Sequence, residues 1–249
     1  RTFLRLESLE SRLLLSAADP SGQEQEILFL LNRMRTAPAD ELPKLVGSTD
    51  PAVQRALTYF AVDQTLLGQQ WSALTPAPPL AWNEQLATAA AAHDAAMVAA
   101  DQQSHQLPGE EDPGTRIADA GYSFSAAGEN VYAYAADPFY CHAAFAIDWT
   151  NDPAATGGIQ NPPGHRNEMM NAGYRDVGIA WLPSASGDTT GPFLATEDFA
   201  TPITPMNAAV VGTVYSDTMK DGAYTAGEGL SGVTVTATGA DGTVFTTQS

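Results

Sequence analysis

The sequence predicts an α+β fold, on three observations. Helical periods and Ala-rich runs interleave with short stretches of β-type alternation, and Gly- and Pro-rich breaks separate them. No regular strand–helix–strand period emerges of the kind a doubly wound sheet needs. In chain order, Asp19-Pro20-Ser21 offers caps for a first helix in which Ile27, Leu30, Leu31 and Met34 recur at helical spacing. Residues 36–79, rich in Pro, Ala and Thr, read as an irregular or partly helical connector. Leu80-Ala81-Trp82-Asn83 leads into Glu84–Ala100, a run of strong helix formers with Leu86, Ala90, His93 and Met97 near one face. Asp137-Pro138 pairs an N-cap with proline at the first helical position and opens a third helix through Phe139, Ala143, Ala146 and Trp149. A Gly- and Pro-rich loop over 152–163 precedes a short helix at Gly164–Asn171. Val177–Trp181 and Phe193–Phe199 then read as strands.

From about residue 207 the texture changes. Val210–Tyr215 and Val233–Thr238 read as strands, Asp241-Gly242 as a hairpin turn, and a further strand starts at Thr243. So few strands cannot form an independent β-domain, so 207–249 reads as the first part of one, 19–206 as the main domain, and 1–18 as a separate segment. That first segment carries a net charge of +1 and a short apolar run, Leu13–Leu15, followed by Ser16-Ala17-Ala18. It reads as an export segment or, on the plainer alternative, as an amphipathic N-terminus.

Composition narrows the function classes. With 249 residues and 44 % apolar content the chain has enough material for a sizeable core. A formal net charge of −18 repels phosphate backbones and argues against a nucleic-acid partner. No stretch approaches the roughly 18 apolar residues of a membrane-spanning helix. The single cysteine, Cys141, forms no internal disulfide, and its neighbour His142 does not face it on a helix.

Candidate chemistry lies in loops and helix ends. His105 follows the Ala-rich helix, Glu129 sits in Gly128-Glu129-Asn130-Val131, Asp152 closes Trp149-Thr150-Asn151-Asp152, and His165 lies in Pro163-Gly164-His165-Arg166 beside a helix N-terminus. The positive end of a helix dipole disfavours imidazolium there and keeps the ring able to bind a metal. Spacing alone leaves each of these four as either an ordinary loop polar residue or a site residue.

Taken together and in this order, these motifs resemble those of the CAP superfamily: the cysteine-rich secretory, antigen 5 and pathogenesis-related proteins, whose unit is also called the SCP domain. Leu31-Asn32-Arg33, Leu80-Ala81-Trp82-Asn83 and Val177-Gly178-Ile179 add to the likeness, which spans about residues 22–202. The missing cysteines suit the bacterial branch. The resemblance implies an α-β-α sandwich with a shallow central groove, where two histidines and two acids hold a divalent metal, often zinc. His105 and His165 match the histidines and Glu129 the first acid. Asp152 matches the second loosely, because the family usually places Glu there. Two neutral imidazoles with water and a carboxylate suit Zn²⁺. The implied protein is secreted or displayed at a cell surface and binds an extracellular lipid, glycan or peptide. The alternatives are a metal-dependent hydrolase of peptides or cell-envelope material, with Glu129 as candidate catalytic residue, and an adhesive surface protein with a vestigial groove.

Two further resemblances frame this domain. Leu9-Glu10-Ser11-Arg12-Leu13-Leu14-Leu15-Ser16 looks like the leader of many large bacterial surface proteins. Residues 217–228 fit a calcium-loop template at every fixed position but the third, where Met219 offers no oxygen, so Asp217, Asp221 and Glu228 are possible calcium ligands. With Gly227–Val233 this segment resembles the B-type repeats of surface adhesins, implying a truncated immunoglobulin-like β-sandwich. A polar Gly-rich turn is the plainer reading of the same residues.

Overall fold

The structure is a computed structural model that describes residues 19–185, 187–204 and 209–249; the expected export segment, 1–18, lies outside the described residues. Helix α1 (Gly22–Thr36) begins with a reciprocal capping box: the Ser21 N–H donates to the Glu24 carboxylate at 2.7 Å, and the Glu24 N–H to Ser21 Oγ at 3.3 Å. Its predicted apolar stripe, Ile27, Leu30, Leu31 and Met34, is buried.

Of the two forms expected for 36–79, irregular or partly helical, the structure shows the partly helical one. Three short helices form there: α2 (Pro38–Val46), α3 (Pro51–Tyr59) and α4 (Gln64–Trp71). Pro38 and Pro51 open two of them, and the Asp50 and Asp63 carboxylates cap the latter two by accepting backbone N–H groups. At eight or nine residues each, they are too short for a helical period to stand out among the prolines.

Strand β1 (Ala81–Trp82) leads into α5 (Glu84–Ala100), which has the expected bounds and Asn83 as its cap. A further helix, α6 (Pro113–Asp119), precedes the long strand β2 (Phe124–Ala135). Helix α7 (Pro138–Ile147) is capped by Asp137 as read, but it ends at Asp148, whose φ of 63° turns the chain before Trp149. Then come α8 (Gly164–Met170), β3 (Asp176–Pro183) and β4 (Phe193–Pro202).

The sheet order is β1-β3-β4-β2, with β1 parallel to β3 and the other pairs antiparallel. Alternation along the strands sorts the two faces. Gly178 faces α5 so closely that a Cβ would lie 1.9 Å from the Ala87 nitrogen. Val131, Ala133 and Leu194 join Met97 of α5 in the core on that face. Val177, Ile179 and Phe199 face the other way, into a core shared with α1 and α7. The result is helix on sheet on helix, with β2 as an outer strand whose edge Gln103 and Gly191 bond to.

In the tail, β5 (Thr234–Thr238) and β6 (Val244–Gln248) form a hairpin, with Gly242 at φ 85° in the turn. Val210–Tyr215 is not a strand: only Tyr215 makes a bridge, to Gly229. Three valines and a tyrosine supply the propensity, but a strand exists only where a partner pairs with it. The tail docks on α1. Phe29 meets Tyr215 and Tyr224 edge-on at 6.0 and 6.3 Å, and the Ala226 N–H donates to Glu26 at 2.8 Å. Among the described residues no helix is long and apolar enough to cross a membrane.

Candidate functional site

All four histidines have a carboxylate partner: His93 with Glu110 (2.7 Å), His105 with Glu129 (2.9 Å), His142 with Glu41 (2.9 Å) and His165 with Asp148 (2.8 Å). Exposure separates them. The side chains of His93 and His142 are wholly enclosed, whereas 56 % of His105 and 17 % of His165 reaches solvent. Only the latter two can meet a ligand, and they are the two picked out from sequence.

His105 is delivered by the turn after α5. Asp101, in left-handed backbone at φ 47°, ends the helix, and its carboxylate accepts N–H and hydroxyl donors from Thr189 and Thr190 at 2.8–2.9 Å. Gln103 then lies along the β2 edge. The His105 Nδ1 meets Glu129 Oε1, and the Arg116 guanidinium donates to Oε2, so both oxygens of this buried carboxylate are engaged. Arg116 also donates to the His105 carbonyl at 3.1 Å and fixes the loop.

Behind Glu129 the sheet is unusually acidic. Asp198, directly cross-strand from Glu129, is pushed well above the usual carboxylate range by burial and by the Glu129 charge. Burial likewise raises Asp94 to about 7, despite the Thr196 hydroxyl donated at 2.6 Å, and Glu197 to about 7, despite the Asn130 amide at 3.0 Å.

His165 is the second residue of α8. Its Nδ1 is held by Asp148, the buried residue at the end of α7, and Phe145 packs on its ring at 5.2 Å. Arg166, also buried, donates to the last α7 carbonyls, Ala146 at 3.0 Å and Ile147 at 3.1 Å, and clamps α7 to α8 beside that pair. Asn130 donates to the His165 carbonyl at 3.3 Å. Gly128 permits this approach: a Cβ there would lie 2.2 Å from the Glu168 carboxylate. Glu129 and Asn130 are consecutive and point to opposite faces, Glu129 to the His105 ring and Asn130 to the backbone of His165.

The remaining predicted residues lie apart. Asp152 is exposed, accepts the Ala154 N–H at 2.9 Å, and borders a small polar pocket of about 260 Å³ with Thr150, Gln160 and Asn161. The acid beside His165 is Asp148, which no motif marked, since a left-handed turn at the helix end is what aims it. Trp149 packs, stacked on Phe60 at 5.7 Å. In the tail, Glu228 accepts the Thr218, Met219 and Thr225 N–H groups at 2.7–3.1 Å, while Asp217 accepts those of Asp221 and Gly222. Among the described residues no three His, Cys, Asp or Glu side chains group as a metal cluster.

Residues 28–199 match the model of CAP, the cysteine-rich secretory protein family. No curated protein matches the sequence. Among solved structures, the chain is similar to an extracellular SCP-domain protein from Bacillus anthracis at 20 % identity and TM-score 0.37, over 59 % of this chain and 39 % of that one. The match to an outer surface protein from Borrelia burgdorferi has 15 % identity and TM-score 0.38, over 62 % and 96 %. That to venom allergen-like protein 4 of Schistosoma mansoni has 11 % identity and TM-score 0.39, over 77 % and 97 %.

Proposed function

The chain belongs to the CAP family, and from that premise we propose that it is an exported binding module whose groove, flanked by His105–Glu129 and His165–Asp148, recognises an extracellular lipid, glycan or peptide. One observation carries the reading: two solvent-reaching imidazoles are each tethered through Nδ1 to a buried carboxylate, which leaves Nε2 to meet a ligand. Neither ring is hydrogen-bonded to a Ser, Thr or Cys side chain among the described residues, which favours recognition over acyl transfer.

The donor chemistry also suits a divalent ion such as zinc. Carboxylate-anchored imidazoles are ordinary ligands, and His105 and His165 would hold the ion. When bound it would supply a Lewis-acidic contact for an oxygen of the ligand. Glu129 and Asp148 orient the two rings. Export accords with the leader-like residues 1–18 and the secretory family. The tail is proposed to present this domain at a surface, with calcium at Asp217, Asp221 and Glu228 as its stabiliser.

The test is elemental analysis after mild dialysis, with binding to lipid, glycan and peptide arrays, on wild type, His105→Ala and His165→Ala. Loss of ligand in both variants is expected. Equal, near-zero zinc in all three proteins removes the metal from the reading. Chelator-sensitive turnover of a peptide or glycan that disappears in Glu129→Gln moves the assignment to hydrolase.

A further inference from the structure

Among the described residues, Asp198 stands out as a buried carboxyl without a donor. It is 1 % exposed, and neither of its oxygens accepts a hydrogen bond. An isolated buried carboxylate is costly, so such a group is either paired or neutral. No cation among the described residues pairs with it. Arg116, which faces it from α6, gives Nη1 to the His105 and Glu111 carbonyls and Nη2 to Glu129, and its Nε–H reaches no acceptor. From α5 comes a second acid, Asp94, whose Oδ1 takes the Thr196 hydroxyl and whose Oδ2 accepts no bond. His93, beside Asp94, is engaged by Glu110 at 2.7 Å. On the β3 side the cross-strand partner is Gly178, which has no side chain to offer.

On the β2 side the partner is Glu129. Residues directly opposite in an antiparallel pair share a face, with Cβ atoms about 4.5–5.5 Å apart. The two carboxyl groups come within hydrogen-bonding reach of each other. Two anions that close in a dry site repel, whereas one proton between them turns the contact into a charge-assisted O–H···O⁻ bond. The surroundings decide which acid carries it. Glu129 already meets His105 Nδ1 at 2.9 Å and the Arg116 guanidinium, and both favour its charged form. Asp198 meets neither, and burial together with the Glu129 charge favours its neutral form.

We propose that Asp198 is a positioning residue of the candidate site: its carboxyl carries a proton, donates it to Glu129, and so holds that carboxylate against the His105 ring. Glu129 is then fixed from three sides, by β4, by α6 and by the turn that carries His105. The latch depends on the proton. Once Asp198 ionises in alkali, the two acids repel and His105 loses its anchor. This goes beyond the groove reading and names no ligand, so each can fail without the other.

Infrared and NMR spectra of the full chain test it. At about pH 7, where an ordinary Asp is ionised, the wild type should show the carbonyl stretch of a protonated carboxyl. One component of that band should be missing in Asp198→Asn and present in Asp94→Asn. From about pH 4 to 7 the unfolded Asp198 releases its proton while the folded one keeps it, so stability falls as pH rises. The folding constant of Asp198→Asn relative to wild type should therefore climb at least about tenfold over that range in urea titrations. Long-range proton–nitrogen spectra, assigned with His105→Ala, read the ring tautomer. His105 should keep its Nδ1–H in wild type and in Asp198→Asn, whose amide still donates to Glu129, and lose that preference in Asp198→Leu. In alkali the preference should fade in wild type and persist in Asp198→Asn. The proposal fails if Asp198→Asn leaves the carboxyl band intact, or if its relative folding constant is flat or falls with pH. It fails as well if Asp198→Leu melts cooperatively with the His105 tautomer unchanged. Should Asp198→Leu not fold, the wild type decides: a tautomer preference that outlasts the infrared band in alkali overturns the latch.

Discussion

Glu41 offers the sharpest test of how the site-bearing helices are held. Its carboxylate is fully enclosed between α1, α2 and α7, taking two bonds from Arg33 at 2.7 Å and one from His142 at 2.9 Å. Burial alone would raise this acid, but the His142 and Arg33 bonds outweigh it and bring the group from its ordinary 4.5 to about 2. A carboxyl held that low contributes about 3 kcal/mol at neutral pH, since each tenfold change in acidity is about 1.4 kcal/mol. The sign follows from the direction: a depressed acid stabilises fully above its unfolded value, and the contribution is lost as pH falls from about 4.5 to about 2. Glu41→Gln presents an amide NH₂ where donors converge and should cost about 3 kcal/mol at pH 7, with a flatter acid limb than wild type. Urea unfolding of both proteins from pH 2 to 8 measures this. A loss under about 1 kcal/mol, or parallel curves below pH 4.5, would refute the argument that this network fastens α7 to α1.

Three other outcomes are expected. Asp148→Asn should weaken zinc or ligand binding about ten- to a hundredfold while Asp152→Asn leaves it unchanged, and the reverse ranking in a binding titration restores Asp152 to the site. Asp94 has the opposite linkage to Glu41. Raised by burial to about 7, it lowers stability as pH climbs from about 4 to 7, so Asp94→Asn, still able to accept from Thr196, should gain at least about 1 kcal/mol at pH 8 and little at pH 4 in chemical denaturation. Tyr224→Ala removes the ring that meets both Phe29 and Tyr215, so limited proteolysis should cut the tail several times faster while the main domain survives.

How far the sequence was legible depended on whether a signal is local. The bounds of α5, the Asp137-Pro138 start of α7 and the β3 and β4 runs rest on propensity, caps and alternation within a few residues, and each was readable. The helices of 38–71 were legible only as a partly helical stretch, because at eight or nine residues their period is no clearer than chance. His105, Glu129 and His165 were picked out through motif order, and the structure brings His105 against Glu129. Asp148 was missed, since its role comes from a left-handed turn that aims it at a residue 17 positions away. Val210–Tyr215 failed for the converse reason: its β-type composition was real, but pairing is a tertiary property.

The same contrast explains why the motif residues sit where they do. Gly128-Glu129-Asn130 spans one turn of the pleat, so Glu129 serves His105 on one face while Asn130 serves the backbone of His165 on the other. Gly128 leaves room for α8 to come that close, and Arg166, next to His165, holds the end of α7 that carries Asp148. Three consecutive residues on one edge strand therefore bear on both histidines, through the His105 ring and the His165 backbone. A substitution at Gly128 would displace His165 without touching it, because even a methyl group meets the Glu168 carboxylate and the Tyr174 hydroxyl that α8 brings against the strand. Gly128→Ala should thus impair any function that needs both rings more than one that needs His105 alone, a difference that ligand titrations of Gly128→Ala and His165→Ala in parallel would reveal.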